Sequence, residues 1–144
     1  MDTEILKRQL VEHEGNLRFP YKDKVGKLTI GVGRNLTDVG VTEAEAFMLL
    51  DNDIAVAKAD LDRVLPWWTE MNDVRQRVLC DLGFNMGIAR LRKFVRTLAS
   101  MEAGNYKLAA KQMLESKWAG QVGKRAQRLA RMMSTGEDVV LTDV

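Results

Sequence analysis

A chain of 144 residues, 46% apolar and 29% charged with two prolines, has the composition of one globular domain or of two small lobes sharing a core, not of a disordered or fibrous protein. Its single cysteine, Cys80, excludes an intramolecular disulfide, and no stretch approaches the roughly 18 consecutive apolar residues of a membrane span. The net charge of +2 conceals an asymmetry: residues 1–72 carry 9 Lys+Arg against 13 Asp+Glu and residues 73–144 carry 13 against 7, so the carboxyl half favours an anionic partner, nucleic acid or an acidic wall polymer.

The amino-terminal MDTEILKRQLVEHEG alternates charge with apolar residues and lacks the apolar run of about 7 to 15 residues that a signal peptide needs, so synthesis and retention in the cytoplasm are expected. Ile5, Leu6, Gln9, Leu10 and His13 keep a helical rhythm. Asp2 or Thr3 is placed to cap that helix, which ends at Glu14 with Gly15 in a left-handed turn. RFPYKD and KLTIGVG are short, rich in β-branched and aromatic residues, and separated by Gly26, which predicts a hairpin.

From Thr42 the pattern is helical. Thr42 and Glu45 form a capping box, and Phe47, Leu50, Ile54, Ala57, Leu61 and Leu65 recur at three- and four-residue steps until Pro66, as one long helix or as two broken at Asp51-Asn52-Asp53. Trp67 and Trp68 follow Pro66 and are expected to anchor that junction. Asn72 or Asp73 caps VRQRVLCDLGFNMG, read as a central buried helix. In it Cys80 is expected to be a small buried hydrophobe. A basic stretch then ends at Gly104, and residues 106–118 and 124–134 supply two more helices before Gly136. The fold class is α+β, mainly α, with one small amino-terminal β element.

The stretch VEHEGNLRFPYKDKVGKLTIGVGR gathers chemistry. Glu14 closes a helix, Asp23 lies at the hairpin turn and Thr29 on the returning strand, so three elements can aim polar groups at one place. Glycoside hydrolysis needs one protonated and one ionised carboxyl group. A helix-end glutamate against apolar neighbours is a candidate for a raised pKa, whereas an aspartate in a turn stays ionised. Composition alone favours the plainer account, solvated acids and glycines that merely relieve a crowded strand.

The combination Glu-Gly, Tyr-Lys-Asp nine residues on, and Thr-Ile-Gly-x-Gly six residues after that aspartate resembles the phage-type lysozymes, glycoside hydrolase family 24. The Phe-x-Met-Gly end of VRQRVLCDLGFNMG and the Trp, Gln, Arg-Ala-x-Arg and Thr-Gly pattern of SKWAGQVGKRAQRLARMMSTG extend the similarity to residue 136. The resemblance implies a two-lobe fold, with a small amino-terminal lobe over about residues 12–55 and a helical lobe over about 66–144 plus the first helix, and a cleft between them.

It also implies that Glu14 is the general acid, Asp23 the second carboxylate and Thr29 the hydroxyl that helps place the attacking water, in an inverting hydrolysis of the β-1,4 bond between N-acetylmuramic acid and N-acetylglucosamine. Inversion places the two carboxyl groups about 6.5 to 9.5 Å apart. Arg125 matches an arginine near the catalytic glutamate, with orientation its expected job and a plain solvated cation on a basic helix the alternative. Phe84 and Asn85 are expected to line the cleft, and Trp118 and Gln121 its rim; for Phe84 packing in the core is the alternative. Glu12 and His13 match no catalytic role and are expected at the surface. The family's usual histidine after TIGVG is replaced by Arg34, a permanent charge where a histidine would form a titratable local pair, and the segment from Arg34 to Pro66 is short for the family.

The expected protein is a monomeric endolysin made in the host cytoplasm, acting on peptidoglycan after holin-type permeabilisation, without cofactor, metal, nucleic-acid partner or stable membrane insertion. One His and one Cys cannot furnish a zinc set. A lytic transglycosylase would need only a lone acid, a non-catalytic wall-binding module would not need all three polar positions, and a nucleic-acid-binding protein leaves TIGVG unexplained. A virion-associated domain of a longer chain stays open.

Overall fold

The computed structural model describes residues 1–139. It divides into two compact units, Met1–Leu49 and the residues from Leu50 onward.

In the first unit, α1 (Thr3–Glu14) starts where the Asp2 carboxylate accepts the Ile5 N–H at 3.1 Å and stops at Gly15. Gly15 has φ 78 and ψ 178, so it turns the chain in an extended positive-φ conformation rather than the left-handed helical one expected. Three strands follow: β1 (Leu17–Lys22), β2 (Leu28–Gly31) and β3 (Arg34–Asn35), antiparallel in the order β1-β2-β3. The predicted hairpin is therefore the first half of a meander. β3 has two residues, too few to leave a pattern in sequence.

Pairing runs Leu17↔Gly31, then Tyr21↔Thr29 and Lys22↔Leu28, so β1 advances four residues while β2 advances two. The irregularity contains Pro20, which has no N–H to give a ladder. The other side of β2 pairs Thr29↔Asn35 and Ile30↔Arg34, and Gly31-Val32-Gly33 forms the tip between the strands. Both tip glycines have positive φ, +66 and +69.

The capping box forms as expected: Glu45 N–H donates to Thr42 Oγ1 at 3.1 Å and Thr42 N–H to Glu45 Oε1 at 2.9 Å. It opens α2 (Glu43–Val64), a single helix, because Asp51, Asn52 and Asp53 all sit on its exposed side and leave the backbone ladder intact. Phe47 and Ile54, expected in a buried stripe, are exposed; burial along α2 begins at Ala57.

From Leu50 onward the chain is helical around one core. Pro66–Glu70 is a 3-10 turn whose buried Trp68 donates Nε1–H to Asp62 at 2.8 Å, the anchoring expected at this junction. Asn72, rather than Asp73, caps α3 (Asp73–Met86), which buries Val78, Leu79 and Leu82 on one face. The helix is thus half-buried, not apolar all round.

Next come α4 (Ile88–Leu91), α5 (Val95–Glu102) and α6 (Tyr106–Leu114). The helix expected over 106–118 stops early because Ser116 Oγ accepts the Ala119 N–H and starts α7 (Lys117–Val122). α8 (Lys124–Thr135) closes the bundle with Leu129, Met132 and Met133 in the core. No helix among the described residues is long and apolar enough to cross a membrane.

Candidate active site

Glu14 is the last residue of α1, and its carboxyl lies against Gly33. A Cβ built on Gly33 would come 3.0 Å from Glu14 Oε2 and 3.3 Å from its Cδ, so the second glycine of TIGVG gives room to the carboxyl as well as a positive φ. Gly31 shares the positive φ but has open space where its Cβ would be. The apolar surroundings expected for Glu14 are not found: the residue is exposed, and α1 has no buried residue. Glu12 and His13, also exposed, sit on the same turn as expected.

Asp23 follows β1 in the tight turn to β2. Its Oδ1 accepts the N–H of Val25 at 3.0 Å and of Lys27 at 2.8 Å, which fixes the carboxylate by two donors on one oxygen. Among the described residues Oδ2 has no partner. Lys27 returns the bond, its carbonyl accepting the Asp23 N–H at 2.9 Å. The same carbonyl accepts the hydroxyl of Thr29 at 3.0 Å. Thr29 is 4% exposed and is the one fully buried residue of Met1–Leu49. Because its proton goes to Lys27, its oxygen is left as an acceptor. The Lys27 peptide groups thus join Asp23 to Thr29, a link the turn spacing Asp-x-x-Gly-Lys signals and side-chain motifs do not.

Arg34 makes the local ion pair that its charge implies. Its Nη1 lies 2.7 Å from Glu45 Oε1 and donates to the Gly40 carbonyl at 3.2 Å. The Arg34 hydrogen bond, followed by those from Thr42, holds the Glu45 carboxyl down to about 2.

The second unit holds the other sequence-predicted residues. Phe84 is 49% exposed on α3 and, with Arg125, Asp81 and Trp68, lines a pocket of about 580 Å³, so it is not a core residue. Arg125 is not a plain solvated cation: Nε and Nη2 both donate to Asp81 Oδ1, at 2.9 and 2.6 Å. Trp118, expected at a rim, is 1% exposed and belongs to the core, where its Nε1–H donates to Asn85 Oδ1 at 2.8 Å. That bond explains the burial, since an indole N–H must find an acceptor there. Gln121 is exposed and its Oε1 accepts from Arg90 at 2.6 Å. Among the described residues Asn85 and Gln121 each keep an amide NH₂ uncommitted, and Arg125 keeps Nη1. Cys80 is half-buried, and burial pushes its thiol up, which disfavours a thiolate nucleophile. Among the described residues no three His, Cys, Asp or Glu side chains gather as a metal site.

The profile of the phage lysozyme family matches residues 11–133. The pre-baseplate central spike protein Gp5 of Enterobacteria phage T4 is 34% identical over 110 residues, which cover 73% of this chain and 19% of that protein. Probable T4-type lysozyme 1 of Dictyostelium discoideum is 23% identical over 160 aligned positions, covering 91% of this chain and 94% of its own length. The SAR-endolysin of Escherichia phage Mu is 28% identical over 144 positions, covering 94% and 82%.

Proposed function

The chain belongs to the phage lysozyme family, and on that footing we propose that it is a muramidase that hydrolyses the β-1,4 bond between N-acetylmuramic acid and N-acetylglucosamine with inversion. The observation that carries this reading is the arrangement within Met1–Leu49: a carboxyl group rested against Gly33, and a second carboxylate wired through Lys27 to a buried hydroxyl.

Glu14 gives its proton to the glycosidic oxygen as the bond breaks. Since Glu14 is exposed in the free protein, the sugar that covers it would supply the desolvation that keeps a carboxyl protonated. Asp23, with Oδ1 occupied by backbone donors, turns Oδ2 towards a water on the opposite face of the sugar and stabilises the positive charge of the transition state. Thr29 accepts the second hydrogen of that water. With both hydrogens held, a lone pair of the water oxygen attacks the anomeric carbon as the hydrogen facing Asp23 passes to its carboxylate as a proton. A separation of about 6.5 to 9.5 Å between the carboxyl groups would admit the water.

Phe84 offers an apolar face to a sugar ring, and Asn85, Gln121 and Arg125 offer their uncommitted donors to its oxygens. Peptidoglycan is the partner, the enzyme acts as a monomer, and host lysis from within, after a holin-type opening of the membrane, is the setting. A second setting, a wall-cutting module of a virion protein, is favoured by the similarity to a central spike protein.

The test is clearing of outer-membrane-permeabilised bacteria by the wild type and by Glu14→Gln, followed by analysis of the sugar ends. Loss of clearing in the variant, new reducing ends and an inverted anomer are expected. Clearing unchanged by Glu14→Gln overturns the assignment, and anhydro-sugar ends would make the enzyme a lytic transglycosylase. Finding the chain in purified virions would decide for the second setting.

A further inference from the structure

The Glu14 carboxyl lies against Gly33, the last residue of the tip Gly31-Val32-Gly33, so whatever holds that tip bears on the place of the carboxyl. On the incoming side β2 is paired by three residues of β1. On the outgoing side β3 contributes two pairs, continued by the Leu36 N–H to the Leu28 carbonyl at 2.7 Å. Two-residue strands hold register weakly. The residue directly after Gly33 is Arg34, and its side chain crosses to the first turn of α2. There a single oxygen, Glu45 Oε1, closes the capping box to Thr42 and receives the guanidinium. The same guanidinium nitrogen also bonds the Gly40 carbonyl in the loop between β3 and α2.

We propose that Arg34 is a positioning residue for Glu14: by pairing with Glu45 it ties the Gly31–Gly33 tip to the start of α2 and so fixes the surface against which the catalytic carboxyl is held. The inference rests on the reading of Glu14 as the proton donor.

Both partners of the pair are more than a third exposed, and exposed ion pairs add little to stability. The consequence of the tie is therefore geometric. The other charged groups nearby are engaged elsewhere or unpaired: Asp38 bonds Lys27 and Asn35, and Glu43, the other acid of the first turn of α2, makes no hydrogen bond among the described residues. A guanidinium does not titrate in the working range. With Glu45 charged down to about pH 2, the tie holds at constant strength wherever the enzyme works, and a histidine in the same place would make it pH-dependent.

The experiment compares wild type, Arg34→Gln, Arg34→Lys, Arg34→His and Glu45→Gln for kcat and KM on soluble peptidoglycan fragments across pH. It is joined to NMR of the Gly33 amide and the Glu14 carboxyl carbon in the free protein. For Arg34→Gln and Glu45→Gln, a fall in kcat on the order of tenfold with KM changed less than about twofold is expected, together with displaced Gly33 and Glu14 resonances.

Arg34→Lys recovers part of kcat. Arg34→His works like Arg34→Lys below a pH of about 6.5 and loses rate as pH rises through its raised histidine pKa. Unmoved Gly33 and Glu14 resonances in Arg34→Gln, or a kcat equal to wild type at every pH, overturn the proposal. Because the resonances are read without turnover, an inactive wild type or an active Glu14→Gln would defeat the proposed reaction while leaving the positioning separately decided.

Discussion

The first 49 residues and those after them are built on opposite plans. Among the described residues from Leu50 onward, twenty apolar residues are buried, and Leu61, Val78, Leu79 and Met133 have no exposed surface. Before it, one residue is buried, and it carries a hydroxyl. The helical unit is held by apolar packing, which is strong, non-directional and tolerant of where any one atom sits. The small unit is held by hydrogen bonds, glycine backbone and three ion pairs, which contribute little net energy and much direction. The reaction we propose, which has two carboxyl groups and a hydroxyl to place, is better served by the second plan.

The comparison would be sharpened most by Asp23→Asn. The amide carbonyl can still accept the Val25 and Lys27 N–H groups, so the turn survives while the charge goes. Clearing is expected to fall by a factor on the order of 10² to 10⁴ with the thermal midpoint nearly unchanged. Next in size comes Leu79→Ala, in the core of the helical unit. It should lower stability by about 2–5 kcal/mol in denaturant titration. The kcat of the molecules still folded should stay near wild type. A large loss of kcat without a loss of stability would break the division of labour.

A closer cut is Gly31→Ala against Gly33→Ala. Both force an L side chain into positive φ at a cost of about 1–2 kcal/mol, but only at Gly33 does the new methyl meet the Glu14 carboxyl. Equal stability and unequal activity are expected, with Gly33→Ala the poorer enzyme. The smallest effect concerns acid. Glu45 has its carboxyl lowered from 4.5 to about 2. Its share of stability is therefore present above the unfolded value and lost as pH falls through about 2. Acid unfolding of Glu45→Gln should be less steep between those pH values than that of the wild type.

Much of this was legible in the chain itself. Helix limits that rest on a capping side chain or a glycine, such as Asp2, Thr42, Asn72 and Gly15, can be read because the signal is local. The same is true of where Glu14, Asp23 and Thr29 sit, at the end of α1, in the β1–β2 turn and on β2; their roles in catalysis belong to the proposal. What escaped depends on groups with no local signature. β3 is too short to show alternation, and the single long α2 passes through Asp51-Asn52-Asp53 because polar residues on an exposed face do not interrupt a helix. The acceptors chosen by Trp118 and Arg125 are 33 and 44 residues away, beyond the reach of any periodicity. The exposure of Phe47 and Ile54 likewise could not be taken from their spacing, since an apolar stripe tells which face a helix offers and not what covers it.

The bonds from Lys27 to Asp23 and Thr29 belong to the main chain, and this has a consequence for how the site would look to mutagenesis. Replacing Lys27 by almost any residue removes only its exposed side-chain pair with Asp38. A scan that truncates side chains would therefore score position 27 as silent. Proline, which lacks the N–H, or an ester in place of that peptide group, would cut the tie to Asp23 and show the position to be among the least dispensable of the unit. The residue can drift freely in identity while its backbone cannot.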